Sequence, residues 1–127
     1  MTDHQTEDHA DILIVGGGIG GLTLALALHQ RGIACTVFEA APEFRPLGVG
    51  INMLPHAIRE LTALGLEPAL EAHGVEAREF AYFNRHGQKI FTEPCGRFAG
   101  YDYPHFSIHR ADLHKVLFDA AVERLGP

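Results

Sequence analysis

At 127 residues the chain is long enough for one domain with its own core, and 46% hydrophobic with 20% charged residues excludes a disordered or fibrous class. A formal net charge of −6 disfavours nucleic acid and acidic membrane surfaces as partners, and no apolar run reaches the ~20 residues of a membrane span. The two cysteines, Cys35 and Cys95, form no C-x-x-C pair, which suits a reducing, cytoplasmic setting.

Met1 to Ala10 is polar and acidic, without the basic start and apolar stretch of a secretory signal, so residues 1–9 are expected to be a disordered tail. Ile12 to Val15 is an unbroken β-branched and apolar run, the pattern of a parallel strand buried on both faces. Gly16, Gly18 and Gly21 follow in G-x-G-x-x-G spacing. The first permits the turn out of the strand, the second lets a pyrophosphate approach the backbone, and the third lets helix and strand pack closely. A helix starting near Gly20 and running to Gln30 presents unpaired N–H groups to that phosphate. Leu22 to His29 is apolar on every side, and Gly32 is placed to stop the helix. Cys35 to Phe38 reads as a second strand, ending in Glu39. A carboxylate about 20 residues beyond the glycines accepts hydrogen bonds from the ribose of an adenine dinucleotide. Glu39 would repel a 2′-phosphate, so FAD or NAD fits better than NADP; the motif itself does not choose between those two.

Ala40 to Ile51 holds two prolines and two glycines and reads as a shaped loop. Gly48 and Gly50 would let a ligand come close to the backbone, and Arg45 is the loop's only cation. Pro55 opens a helix whose apolar face is Ala57, Ile58, Leu61 and Leu64, with Gly65 at its end. Pro68 to His73 is a second short helix stopped by Gly74. Arg78–Phe83 and Gln88–Phe91 flank Asn84-Arg-His-Gly87 as a β-hairpin, with Gly87 in a left-handed turn position. Pro94 to Pro104 is a loop carrying Phe98, Tyr101 and Tyr103; such aromatics line flat-ring pockets or pack on the domain, and packing is the reading adopted. His105, His109 and His114 are too far apart along strand and helix to share one metal ion.

Phe106 to Ile108 is a short strand and Arg110 to Leu125 a helix, with Leu113, Val116, Leu117, Ala120, Ala121 and Leu125 on one face. Arg110 stands at the helix start, where the dipole disfavours a cation and a bound anion would relieve it. A crossover helix normally leads to another parallel strand. None follows, so the chain reads as cut short, with Leu113, Leu117 and Leu125 left exposed and able to mediate self-association.

Gly16-x-Gly18-x-x-Gly21, Glu39, Arg45-Pro-Leu-Gly-Val-Gly-Ile-Asn52 and Ser107-Ile-His-Arg-Ala-Asp-Leu113 in this order resemble the class A flavoprotein monooxygenases. These are the FAD-dependent aromatic hydroxylases related to para-hydroxybenzoate and salicylate hydroxylases; the phenazine-type branch is closest. The resemblance implies an α/β fold: residues 10–127 as the N-terminal part of a Rossmann-like FAD-binding domain of the GR2 type, with the hairpin belonging to a substrate layer. It implies that Glu39 holds the adenosine ribose and that Arg45 and Arg110 reach the FAD. Ile19, Gly20, Ala40, Gly48, Val49 and Gly50 complete the implied cofactor-binding set. NADPH or NADH would reduce the flavin, and a small aromatic compound would receive the hydroxyl group. The later Asp-Gly and Gly-Asp-Ala motifs of such enzymes are absent, and no catalytic residue can be named. By itself the chain is expected not to hydroxylate. The alternatives are a non-catalytic nucleotide-binding fragment and, with less support, an NAD-dependent dehydrogenase domain.

Overall fold

Strands β1 (Ile12–Val15) and β2 (Cys35–Phe38) pair in parallel, Ile12 opposite Cys35 and Val15 opposite Phe38. These elements come from a computed structural model that describes residues 12–45 and 48–127; the expected tail over residues 1–9, like Pro46 and Leu47, lies outside them. Helix α1 (Ile19–Gln30) connects the two strands. It ends as the sequence predicts: Gly32 takes a φ of 71°, its N–H donates to the His29 carbonyl, and the Ile33 N–H reaches back to Leu28. Those two bonds satisfy carbonyls that a helix end leaves open.

The expectation that β1 is buried on both faces does not hold. Ile14 is 6% exposed, whereas Leu13 and Val15 are 65% and 91% exposed. α1 covers the Ile14 side, and among the described residues the sheet has only two strands. α1 is likewise covered on one side only, with Leu22, Ala25 and Leu26 buried and Leu24 exposed.

The chain divides into two compact units, one holding the chain up to Phe44 together with Leu117–Pro127, the other Arg45–Val116. The second is built on an antiparallel sheet in the order β3 (Gly50–Met53), β7 (Phe106–His109), β4 (Val75–Glu76). Along β7, Phe106 and Ile108 are buried and Ser107 and His109 exposed, the two-residue period of a half-covered sheet. Helices α2 (Pro55–Ala63) and α3 (Glu67–His73) supply Ile58, Leu61 and Leu70 to the core. Pro55 starts α2 and Gly65 follows its end, as the sequence indicates.

β3 and β4 are corrections to the sequence reading, which placed Gly50 and Ile51 in a loop. Their hydrogen-bond partners lie on β7, far along the chain, and local propensity carries no trace of them. The hairpin forms as expected from β5 (Glu79–Phe83) and β6 (Lys89–Pro94), though β6 runs beyond Phe91. Its turn is held by the Asn84 side chain, whose Oδ1 accepts from the His86 and Gln88 N–H groups, with Gly87 at φ 78°.

Helix α4 (Arg110–Leu125) overturns the expected loss of cover. Leu113 and Leu117 are fully buried, Val116, Ala120 and Ala121 nearly so, and only Leu125 is half-exposed. The described chain therefore covers that face without a further strand. Phe118 contributes an edge-to-face contact with Phe44, ring centroids 4.9 Å apart.

Candidate cofactor site

In the first unit the glycine turn leaves the end of β1 and enters α1. Gly16, at φ 110°, donates its N–H to the Phe38 carbonyl at 2.7 Å, which extends the β1–β2 ladder by one residue before the chain turns. Gly18 is the N-cap of α1, and neither an N-cap side chain nor a first-turn acid occupies the helix start. The first N–H groups of the helix, those of Ile19, Gly20 and Gly21, have no intrahelical acceptor. Among the described residues, a Cβ at Gly18 or Gly20 would meet nothing within 4 Å, so they leave the space above the turn open. At Gly21 a Cβ would collide with the Gly16 carbonyl oxygen and lie 3.4 Å from Ile14 Cγ2. Gly16 thus makes the turn and Gly21 the close packing that their spacing predicts, while Gly18 faces open space.

Glu39 follows β2 directly. Its Oε2 accepts the Gly17 N–H at 2.7 Å and its Oε1 the Ala41 N–H at 2.8 Å. Ala40 lies between Glu39 and that donor and is exposed. The arrangement is an open, uncapped helix N-terminus beside a fixed carboxylate. The first attracts a diphosphate and the second accepts hydrogen bonds from a sugar diol, so these residues fit an ADP-bearing cofactor. Sequence reasoning missed Gly17 and Ala41, since the motif leaves the first unspecified and the second acts only through its backbone.

In the second unit the other candidates fall in two places. The Arg110 N–H donates to the Val49 carbonyl at 2.9 Å, and Gly50 pairs with His109, which brings Val49, Gly50 and Arg110 together at one end of the β3–β7 ladder. Arg45 and Gly48 are exposed in the loop before it.

The aromatic loop corrects the packing expectation in part. Tyr101 and Tyr103 line a cavity of about 430 Å³ together with His56, Arg59 and Cys95. Phe98 instead lies under the Arg78 guanidinium, 4.7 Å from its ring centroid. His105 also lines the cavity; it is 3% exposed, its Nε2 has no partner among the described residues, and its ring meets the Phe80 ring edge-on at 5.1 Å. Burial lowers its pKa and favours the neutral imidazole. The Cys95 thiol is pushed up, first by burial and then by the charges of Glu93 and Glu79, which makes it a poor nucleophile. Arg97 grips Glu76 through two 2.9 Å bonds, and that hydrogen bonding raises its pKa.

A family model described as an FAD binding domain matches residues 9–125. The chain is 52% identical over 122 residues to the phenazine 1,6-dicarboxylic acid hydroxylase PhzS of Lysobacter antibioticus, covering 95% of this chain and 30% of that protein. It is 42% identical to the 3-amino-4-hydroxybenzoate 2-monooxygenase of Streptomyces cremeus, covering 84% of this chain and 28% of the relative. Among solved structures, a single-substitution variant of Klebsiella pneumoniae HpxO complexed with FAD superposes with a TM-score of 0.74 at 30% identity, over 87% of this chain and 29% of that one. The p-nitrophenol 4-monooxygenase PnpA of Pseudomonas putida shares the fold at a TM-score of 0.81 and 23% identity, over 91% of this chain and 30% of that one. The chain thus spans less than a third of the length of these relatives. No helix among the described residues is long and apolar enough to cross a membrane. By the extent of the family match, this chain belongs to the FAD-binding domain family.

Proposed function

We propose that this chain is the FAD-binding portion of an NAD(P)H-dependent monooxygenase that hydroxylates a small aromatic ring. The observation that carries the reading is the glycine turn facing the fixed Glu39 carboxylate, in a chain 52% identical to a phenazine dicarboxylate hydroxylase. Gly18, Ile19 and Gly20 receive the pyrophosphate through backbone N–H groups, and Glu39 with Ala40 receives the adenosine ribose. Arg45, Gly48, Val49, Gly50 and Arg110 join this reading through the family pattern, as does the β5–β6 hairpin on the substrate side.

FAD bound here would supply the redox chemistry, hydride acceptance from a nicotinamide and, with dioxygen, oxygen transfer to the ring. The chain's part is to bind and orient. α1 directs its dipole at the diphosphate, and the uncharged glycine turn lets that group come close to the backbone. The fixed negative charge of Glu39 selects a ribose without a 2′-phosphate. Two free cysteines match the cytoplasm as its compartment.

FAD titration, followed by flavin fluorescence, tests the reading. Replacing Glu39 with alanine should weaken binding by about 1–3 kcal/mol, a loss of roughly 5- to 150-fold. Unchanged affinity would remove Glu39 from the site.

A further inference from the structure

We propose that Gly17, the unspecified position of the glycine motif, is a positioning residue for recognition of the adenosine ribose. The inference rests on the reading that Glu39 faces that ribose. Gly17 is buried, and its N–H donates to Glu39 Oε2 at 2.7 Å. A Cβ at this position would have three nearest neighbours, all of them in Glu39: Cβ at 3.2 Å, Oε2 at 3.4 Å and Cγ at 3.6 Å. A methyl group there would press on the one side chain that carries the ribose contact. Gly18 and Gly20 differ, since a Cβ on either meets nothing within 4 Å. Gly18 and Gly20 keep space open for a ligand, while Gly17 keeps a protein carboxylate in place.

The second carboxylate oxygen is held from the other side by the Ala41 N–H at 2.8 Å. Glu39 is exposed, and an exposed glutamate without such anchors samples several rotamers. Holding the group in its binding rotamer before the ligand arrives removes an ordering cost from association.

The test measures binding of ADP and of 2′,3′-dideoxy-ADP to the full chain by calorimetry, a readout independent of flavin and turnover. Wild type should favour ADP by about tenfold, the worth of hydrogen bonds to a charged acceptor. Glu39→Ala should abolish that preference, and Gly17→Ala should reduce it to near unity while leaving dideoxy-ADP affinity unchanged. In the Glu39→Ala background, adding Gly17→Ala should change neither affinity. A general folding defect would instead weaken both ligands in both backgrounds. If Glu39→Ala keeps the preference, the ribose reading of Glu39 fails. If Glu39→Ala loses it and Gly17→Ala keeps it, only the role of Gly17 is overturned. A further measurement needs no change at Gly17. In Glu39→Ala the Gly17 amide proton should exchange faster and its resonance move upfield; no change in either would overturn the proposal.

Discussion

The two units solve the problem of burial differently. In the second, Ile58, Leu70 and Phe106 are 3% exposed or less, packed around a sheet whose middle strand is bonded on both sides. In the first, a two-stranded ladder has one covered face, and its other face leaves Leu13, Val15 and Phe38 in the open. Yet the first unit carries the more sharply specified chemistry. Its glycine turn is fixed by local torsions and by two bonds to the end of the paired strand, Gly16 to Phe38 and Gly17 to Glu39, which need little core; the β3–β7–β4 sheet exists only because more distant segments meet.

The largest effect should come from the buried side of that contrast. Ile58→Ala and Leu117→Ala, each removing a fully buried side chain, should cost about 2–5 kcal/mol in urea unfolding. Leu117 is the sharper test, because an exposed position, as its sequence context suggests, would cost almost nothing. Next comes Gly21→Ala, whose methyl meets the Gly16 carbonyl. A loss of about 1–3 kcal/mol is expected, with ADP binding lost in step. Full stability and binding would mean that helix and strand are not held at this distance.

A smaller effect depends on pH. His105 has its pKa lowered by burial, so the unfolded chain binds a proton more readily than the folded one. Its stabilising contribution is complete above the ordinary value of 6.5 and is lost as pH falls from there towards the folded value. Each pH unit in that window removes at most about 1.4 kcal/mol. Thermal melts at pH 8 and pH 5 should show this loss, and His105→Phe should reduce it; an equal loss in the variant would exclude His105 as its source. The smallest effect belongs to Val15→Thr, within about 0.5 kcal/mol, since this side chain is 91% exposed. A loss like that of Ile58→Ala would show that the open face of β1 is covered in solution.

Much of this molecule is legible in its sequence where the coding is local. Gly32 and Gly65 stop α1 and α2 because a residue at positive φ lets the following N–H groups return to the last carbonyls. Asn84 and Gly87 make the hairpin turn for similar short-range reasons. β3 was hidden because its strand-forming partner is β7. The Asn52–Ser107 side-chain bond of 2.8 Å, joining residues 55 positions apart, marks the distance over which that pairing acts. In the candidate cofactor site the spacing Gly16, Gly18, Gly21 and Glu39 could be read directly, but the hold of Gly17 on Glu39 could not.

By itself, then, the sequence determined the order of strand, glycine turn, helix, strand and carboxylate, since torsional preferences and near-neighbour hydrogen bonds act over a few residues. The tertiary structure decided which apolar faces are covered. It buried Leu113 and Leu117, left Val15 open, and set the Glu39 carboxylate between two backbone N–H groups. Burial and side-chain orientation depend on which surfaces meet in space, and the periodicity of a single segment does not encode its neighbours.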